Sequence, residues 1–273
     1  MLSSKLNTQA ASDQLQRLMP AITCHTLTPL NKGLSNDNFL VESSMGRLLL
    51  KSYKEHFPLG ALKSQQQLAR CQDITANVHA WDETLGIAVF DFLPGTDSPV
   101  MLTDSLLSTV LTVHQFEPSH TFSYASERLD ILPLLKQLDK HIIREMEEAW
   151  AWSVAVLERL PKTLAFFHND LVKENLIVGK QGSKIIDFEY AAYNDTFFDL
   201  AALCCSFELT RAHRSNLLER YFALKKQLLP KYADNKLAAY QLGYLLLSIQ
   251  WYEHRGHAEL AIPLRHQLEQ WQV

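Results

Sequence analysis

Polar residues that could bind a cation and handle a proton are concentrated between positions 168 and 187. Asp170 is followed five residues later by Asn175, and a second apolar run leads to Asp187. Asn175 and Asp187 would supply two oxygen ligands for a hard cation, and Mg²⁺ is usually held by one or two protein oxygens, with water and phosphate completing its shell. Asp170 is a separate carboxylate that would orient an attacking hydroxyl and accept its proton. The segment therefore predicts Mg²⁺-dependent phosphoryl transfer.

These residues need strands that carry them to one place. Apolar runs at 164–167, 176–178 and 184–186 predict a small strand-rich island, which places Asp170 after one strand and Asp187 after another. Further predicted strands are 22–30, 39–44, 47–53, 78–81 and 86–93, and predicted helices are 61–71, 102–116, 131–160 and the chain from about 196 onward. A strand-rich front, a break at Pro94-Gly95 and a helical remainder predict two lobes, residues 1–93 and 94–273, with a ligand cleft between them.

The composition is ordinary for a globular protein except for its glycine content. The 9 glycines in 273 residues are about 3%, against a typical ~7%, which disfavours a glycine-dense phosphate loop. The net charge of −4 gives no basic face for nucleic acid. The apolar stretch Tyr244–Ile249 is too short to span a membrane, and Met1–Pro20 lacks the apolar core of a signal peptide. Four cysteines without C-x-x-C spacing predict free thiols in a reducing cytoplasm, and the sequence makes no prediction of oligomeric state.

The order and spacing of these motifs resemble a known superfamily. H-x-D-x-x-x-x-N at 168–175, followed by I-D-F-E at 186–189, is similar to the catalytic and metal-binding loops of protein-kinase-like phosphotransferases. Within their small-molecule branch, which includes aminoglycoside phosphotransferases, 186–191 resembles choline/ethanolamine kinases and 250–255 resembles bacterial thiamine kinases. The resemblance spans roughly residues 20–260. It implies an α+β, two-lobed protein-kinase-like fold, with a small β-rich N-terminal lobe, a larger, mainly helical C-terminal lobe, and ATP and Mg²⁺ as nucleotide and metal.

The resemblance assigns residues of the N-terminal lobe to the nucleotide. The stretch 30–41 resembles the phosphate-covering hairpin of these kinases, in which Gly33, Ser35 and Asn36 would contact phosphate. It carries one glycine in place of the G-x-G-x-x-G of protein kinases, and the chain has no Walker A sequence. Backbone contacts to the adenine edge are expected from a hinge at residues 89–95, which includes Asp91 and Phe92.

Lys51, at the end of an apolar strand, matches the lysine that pairs with the α- and β-phosphates in this superfamily. The family usually pairs that lysine with a glutamate on the following helix, but residues 64–68 read S-Q-Q-Q-L and contain no acid. Glu55 lies before that helix and Asp73 after it. The sequence leaves three alternatives open: a glutamine positions the lysine, Glu55 substitutes, or the pairing is dispensable.

Two polar residues beside the catalytic segment are assigned structural roles. The resemblance makes His168 a residue that organises the loop rather than a catalyst. Asp199 opens an apolar helix, and we expect it to act as an N-terminal charge or as a buried bond to the catalytic loop.

The phosphoryl acceptor is predicted to be a small cationic alcohol. No activation segment ending in A-P-E follows Asp187, which disfavours protein substrates. The predicted acceptor-binding residues are Glu189, Tyr190, Asp195 and Trp251, with Tyr193, Tyr244, Gln250 and Tyr252 as further candidates. Aromatic rings beside carboxylates suit a choline- or thiamine-like cation. Aminoglycosides are polycations that need many acids, and residues 257–273 contain only Glu259 and Glu269.

The sequence thus predicts an ATP-dependent kinase that transfers the γ-phosphoryl group to a choline-, ethanolamine- or thiamine-like alcohol. The alternatives are an aminoglycoside or other small-molecule phosphotransferase, a catalytically weak nucleotide-binding protein, and a scaffold that uses the two-lobed fold for interaction. The presence of Asp170, Asn175 and Asp187 together favours the enzyme.

Overall fold

A computed structural model of the protein describes residues 6–30, 33–93, 99–118, 128–179 and 182–271. The N-terminal part contains one antiparallel five-stranded sheet with the strand order β1-β2-β3-β5-β4. Its strands are β1 (Cys24–Leu30), β2 (Asp37–Ser43), β3 (Gly46–Ser52), β4 (Val78–Asp82) and β5 (Ile87–Asp91). The predicted strands of this region lie close to these bounds.

Two helices cover the two faces of this sheet. Helix α1 (Thr8–Leu18) packs Ala11 and Leu15 with one face of the sheet, and helix α2 (Leu59–Cys71) packs Leu62 with the other. Side chains alternate between the faces of a strand. In β3, Leu48 and Leu50 therefore face α1, whereas Lys51 is placed on the side of α2.

Helix α1 was not predicted, because its apolar stripe is narrow. Ala11 and Leu15 are the fully buried members of an otherwise polar helix, and they lie at the i, i+4 spacing that brings them to one face. Asn7 caps this helix, since its side chain accepts a hydrogen bond of 2.8 Å from the Ala10 N–H.

The remainder of the chain is mainly helical, and one long helix lies at its centre. The longer helices are α3 (Asp104–His114), α6 (Glu147–Arg159), α7 (Thr196–Ser206), α8 (Arg211–Leu224), α9 (Ala233–His254) and α10 (Ala258–Glu269). Helix α9 contacts α6, α7, α8 and α10. At Gly243 a Cβ atom would lie only 3.0 Å from Ile131 Cδ1 and 3.2 Å from Leu135 Cδ1, so glycine permits this close approach.

The prediction of one helix over 131–160 is wrong, because this stretch forms three helices. They are α4 (Ile131–Lys136), α5 (Lys140–Glu145) and α6. The chain leaves the helical conformation at Met146, which has φ −125° and ψ 39°. At the first break, the Asp139 N–H donates to the Gln250 side chain at 2.7 Å, and the Asp139 carboxylate binds His254 at 2.8 Å. The bond to Gln250 satisfies a backbone N–H that a continuous helix would have satisfied internally, and the His254 contact further ties Asp139 to α9.

Four short strands interrupt the helices and lead to the polar residues singled out in the sequence. Strand β6 (Leu164–Phe167) pairs with β9 (Ala192–Asp195), and β7 (Leu176–Gly179) pairs with β8 (Gly182–Ile185). Strand β9 was not predicted. The Ile185 N–H also donates to the Ile74 carbonyl at 2.8 Å, which ties this island to the segment that follows α2. Within the described ranges, no helix combines the length and apolarity needed to cross a bilayer.

The predicted boundary between residues 93 and 94 adjoins positions 94–98, which are outside the described ranges. The boundary therefore stays a prediction, as does the contribution of Pro94 and Gly95 to a hinge.

Candidate active site

The loop after β6 begins with a residue in an unusual conformation. Asn169 has φ +65°, in the left-handed region that few residues other than glycine adopt. Its amide is fully engaged, because Nδ2 donates to the Tyr190 carbonyl at 3.0 Å and Oδ1 accepts from Asn194 Nδ2 at 2.7 Å. These bonds hold the strained turn in place, and strained backbone of this kind is characteristic of functional loops.

The buried carboxylate of Asp199 fixes the backbone of the same loop from the protein interior. It accepts hydrogen bonds from the backbone N–H of His168 at 2.9 Å and of Asn169 at 2.7 Å. A third bond of 3.1 Å joins it to His114 Nε2 in α3, and His114 Nδ1 is 2.8 Å from the Tyr221 hydroxyl. Asp199 therefore connects the loop to α3 and α8 and does not face the cleft.

The side chain of His168 is also directed inward. Its Nε2 donates to the Ile186 carbonyl at 2.8 Å, and its Nδ1 accepts from the Asp170 N–H at 3.3 Å. Burial lowers the pKa of this imidazole, so the ring is neutral. The ring also packs edge-on against Phe188 at a centroid distance of 4.6 Å. His168 thus links the loop of Asp170 to the segment of Asp187.

Asp170 and Asn175 are brought into direct contact. Asn175 Nδ2 donates to the Asp170 backbone carbonyl at 2.9 Å and to its carboxylate at 3.1 Å. Burial raises the pKa of Asp170 to about 7, and the negative charges of Asp187 and Glu189 act in the same direction. The pKa of Asp170 therefore lies close to neutral pH, which suits a general base.

Asp187 follows β8 in a left-handed conformation with φ +66°, and its side chain is 37% exposed. Lys51 Nζ lies 2.5 Å from Asp187 Oδ1 and 2.8 Å from Glu189 Oε2. Burial opposes the ammonium charge of Lys51, but the carboxylate of Asp187 raises its pKa above the ordinary value, with a further contribution from Glu189. Lys51 is therefore a charged ammonium group held between two carboxylates.

The turn before β2 reaches the same carboxylates. Gly33 has φ +91°, a conformation that glycine adopts without strain. Asn36 Nδ2 donates to Glu189 Oε2 at 2.5 Å, and the Ser35 side chain bonds to Tyr190. The turn predicted to contact phosphate therefore lies over the segment that follows Asp187.

Asp91 and Phe92, the two hinge residues singled out in the sequence, have different partners. The Asp91 carboxylate accepts from Asn77 Nδ2 and lies against His79 Nε2, both at 2.6 Å, and these bonds lower the pKa of Asp91 although burial opposes the shift. The Phe92 N–H donates to the Arg47 carbonyl at 3.1 Å, with the Arg47 guanidinium above the Phe92 ring. The side chain of Asp91 is thus bonded to Asn77 and to His79 of strand β4.

Aromatic side chains lie close to Asp170. Burial raises the pKa values of Tyr244 and Tyr252, and the charge of Asp170 adds to both shifts, which places these hydroxyls within electrostatic reach of the carboxylate. Tyr190 is 42% exposed. The Trp251 ring packs edge-on against Tyr252 at 5.1 Å. The charge of Asp170 acts on Tyr190, Tyr244 and Tyr252, and together with Trp251 these residues are here called the aromatic wall. The Arg255 guanidinium lies over the Trp251 ring at 4.1 Å.

Asp195 requires a correction, because the structure does not bring it to this wall. Its carboxylate is 1% exposed and binds Lys236 Nζ at 2.7 Å and the Thr163 N–H at 2.7 Å. It also caps α7 by accepting from the Phe197 N–H at 3.1 Å. The sequence placed Asp195 correctly next to the start of α7. Its partner Lys236 lies 41 positions away, and no local sequence pattern indicated that the two would pair.

The carboxylate partners of Lys51 are Asp187 and Glu189, and Glu55 is not one of them. Glu55 binds Arg255 at 2.7 Å, and Gln65 Nε2 donates to Thr75 and to the Ala76 carbonyl. The counter-charges of Lys51 come instead from the segment after β8. Residues that the sequence motifs did not identify, and that no local pattern marks, are His114, Asn194 and Lys236.

Comparison with known proteins agrees with this geometry. The sequence model of the phosphotransferase enzyme family (APH) matches residues 26–235. Thiamine kinase of Escherichia coli strain SMS-3-5 is 26% identical over 267 residues, which cover 91% of this chain and 89% of that protein. Thiamine kinase of E. coli K12 is 27% identical over 256 residues, with 88% and 86% covered.

Solved structures share the fold over nearly the whole chain. Choline kinase LicA from Streptococcus pneumoniae matches with a TM-score of 0.72 at 19% identity, covering 96% of this chain and 99% of that one. Spectinomycin phosphotransferase APH(9)-Ia, in complex with ADP and spectinomycin, matches with a TM-score of 0.72 at 11% identity, covering 98% and 95%. The predicted protein-kinase-like α+β fold is thereby confirmed. Because the family match extends over most of the 273 residues, the chain belongs to the phosphotransferase enzyme family and is a small-molecule kinase.

Proposed function

We propose that this protein transfers the γ-phosphoryl group of ATP to the hydroxyl of a small cationic alcohol, with thiamine as the first candidate and choline or ethanolamine as the second. The observation that carries the proposal is the convergence of Asp170, Asn175 and Asp187 with Lys51 at one place between sheet and helices. Phosphoryl transfer depends mainly on positioning and charge neutralisation, and these four residues supply the required groups.

The residues present fit a magnesium ion. No cluster of three or more His, Cys, Asp or Glu suited to a metal occurs among the described residues, but Mg²⁺ needs only one or two protein oxygens beside phosphate and water. Asn175 donates its hydrogen bonds through Nδ2, so Oδ1 is the atom that would bind the cation together with the exposed carboxylate of Asp187. A bound Mg²⁺ would neutralise phosphate charge as the phosphoryl group moves.

The N-terminal lobe, residues 1–93, would hold the nucleotide. Lys51 presents a charged ammonium group to the phosphates, and the turn of Gly33, Ser35 and Asn36 covers them with backbone N–H, hydroxyl and amide donors. The adenine would be bound by backbone groups next to Phe92. The resemblance of residues 89–95 to a kinase hinge supports this assignment, and two structural neighbours, at 19% and 11% identity, were solved with AMP and with ADP.

Asp170 would orient the acceptor hydroxyl and take its proton. A pKa of about 7 leaves this group partly protonated near neutral pH in the absence of ligands. A positive charge brought next to it favours the carboxylate form that accepts the proton. The strongest charges acting on Asp170 come from Asp187, Glu189 and Asp199, all of which are acidic. A cationic acceptor is therefore favoured over a neutral or anionic one.

The choice among cationic acceptors rests on the aromatic wall and on the relatives. Tyr190 and Tyr252 can stack on or surround a quaternary or thiazolium cation, whereas the Trp251 ring is covered by the Arg255 guanidinium at 4.1 Å. Thiamine kinases match at 26–27% identity, whereas the choline kinase LicA matches at 19%. Residues 257–273 contain only two acids, Glu259 and Glu269, which disfavours an aminoglycoside polycation. A cytoplasmic location, where ATP is available, is part of the same proposal.

A coupled kinase assay with ATP·Mg²⁺ and thiamine, choline, ethanolamine or kanamycin tests the proposal. We expect thiamine to give the highest kcat/KM. Asp170→Asn should lower kcat by about 10²-fold or more and leave nucleotide binding largely intact, because the amide keeps the shape but accepts no proton. Turnover of none of the three cationic alcohols, or near-normal turnover by the Asp170→Asn variant, would overturn it.

A further inference from the structure

Helix α2 provides no counter-charge for Lys51. Its sequence, LGALKSQQQLARC, contains no acid. The acids that flank the helix are engaged elsewhere, because Glu55 binds Arg255 and Asp73 binds Lys184. Helix α2 does contact the segment 188–190, and Leu68 of α2 and Phe188 both belong to the main buried core. The lysine must therefore be held from another direction.

Glu189 occupies the position from which Lys51 can be held. Its carboxylate is 12% exposed, and Oε2 lies 2.8 Å from Lys51 Nζ and 2.5 Å from Asn36 Nδ2. One oxygen atom thus joins strand β3 to the turn that covers the phosphates. Glu189 itself is fixed by its neighbour Phe188, which is buried and packs against His168.

We propose that Glu189 is a positioning residue for the nucleotide: it aligns Lys51 and Asn36 for the phosphates from the lobe that carries the catalytic loop. This inference rests on the proposed function in taking ATP·Mg²⁺ as the nucleotide. It assigns Glu189 to the nucleotide side of the cleft, whereas the sequence pattern placed it among the acceptor-binding residues.

Lys51 needs Glu189 because its other partner, Asp187, is also a proposed metal ligand. Lys51 Nζ contacts the carboxylates of both Asp187 and Glu189. When Asp187 turns to a cation, the buried ammonium group of Lys51 needs the charge of Glu189, because an unpaired buried charge is strongly unfavourable. Phosphate alignment in this chain therefore depends on the approach of the segment after β8 to the sheet, and not on an acid in α2.

Calorimetric titration with ADP·Mg²⁺ and with a non-hydrolysable ATP analogue tests this assignment. For Glu189→Ala we expect a nucleotide Kd at least tenfold higher, with the acceptor KM changed less than threefold. Glu189→Gln keeps an acceptor oxygen without the charge, so its Kd should fall between those of the alanine variant and the wild type. Glu158→Gln removes an exposed partner of Lys136 far from these residues and serves as the matched control, with an unchanged Kd.

A double-mutant cycle with Lys51→Met separates positioning from simple loss of charge. In the background of the Lys51→Met variant, Glu189→Ala should raise the nucleotide Kd by less than threefold, against at least tenfold in the wild type, because only Asn36 is left for Glu189 to position. Additive effects of the two substitutions would overturn the inference. So would an acceptor KM raised tenfold with an unchanged nucleotide Kd, which is the signature of an acceptor-binding residue. The melting temperature of each variant verifies that it is folded.

Nucleotide binding needs no acceptor, so the two proposals can fail separately. If the wild type binds nucleotide but phosphorylates no cationic alcohol, the proposed acceptor class is wrong, and the effect of Glu189→Ala on Kd still decides the inference. If the wild type phosphorylates thiamine and Glu189→Ala leaves the nucleotide Kd unchanged, the inference alone is wrong. A wild type that binds no nucleotide overturns both.

Discussion

Replacing Asp195 by asparagine should strongly destabilise the protein without impairing the acceptor site. Asp195 and Lys236 form an ion pair of 2.7 Å in which the two side chains are 1% and 2% exposed. Asp195 Oδ2 accepts from both Lys236 and the Thr163 N–H, and Oδ1 accepts from the Phe197 N–H. An asparagine amide has one oxygen, so in either orientation its NH₂ group faces a donor. Lys236 keeps the Pro161 carbonyl at 2.5 Å as its other polar partner.

The size of the effect follows from leaving a buried ammonium group without its counter-ion. Breaking a buried ion pair by removing one partner costs about 3–5 kcal/mol. Unfolding entropy of about 2.1 cal/mol/K per residue amounts to about 0.6 kcal/mol/K for a chain of 273 residues. The expected fall in melting temperature is therefore about 5–9 °C. Lys236→Met should cost less than Asp195→Asn, because the Asp195 carboxylate would keep two backbone N–H donors.

Calorimetric melting and steady-state kinetics at 20 °C would check both parts of this prediction. The double variant Asp195→Asn, Lys236→Met should melt above the Asp195→Asn variant, because the methionine needs no counter-ion. The acceptor KM should stay within threefold of the wild type. A melting temperature within 1 °C of the wild type would refute the energetic reasoning. A tenfold higher acceptor KM in a fully folded variant would return Asp195 to the acceptor site.

Three further outcomes are expected. Gly243→Ala should lower the free energy of unfolding by about 1 kcal/mol in denaturant titrations, because the cost of crowding the buried Ile131 and Leu135 side chains exceeds the gain in helix propensity. Increased stability would contradict this. Burial lowers the pKa of His114 below 6.5, so the unfolded chain binds a proton that the folded state excludes, and the free energy of unfolding should fall as the pH drops below 6.5. His114→Gln should flatten this pH dependence between pH 6.5 and 5, and an unchanged slope of the free energy of unfolding against pH would contradict it. Asn175→Ala should raise the Mg²⁺ concentration for half-maximal rate by about tenfold or more, and an unchanged Mg²⁺ titration would remove Asn175 from the proposed metal site.

Local sequence patterns were sufficient to predict a feature wherever the residues that form it lie close together in the chain. Asp170 and Asn175 are five positions apart, and they are joined by hydrogen bonds that a short loop can form by itself. All five strands of the N-terminal sheet were predicted, because their apolar residues alternate or run together, which is a property of each strand alone. Helix α1 was missed because two buried residues made its apolar face. The stretch 131–160 was read as one helix because the first of its two breaks, at Asp139, is stabilised by contacts with the distant helix α9.

The sequence by itself determined the kinase-like fold and the set of residues with the chemistry of phosphoryl transfer, because those signals lie in residue type and short spacing. The tertiary structure decided which of these residues meet. Lys51 contacts Asp187 across 136 positions, Asn36 contacts Glu189 across 153, and Asp195 turns to Lys236 instead of the cleft. A carboxylate binds the nearest cation or amide that packing provides, and the packing of sheet against helices is a property of the whole chain that no local spacing encodes.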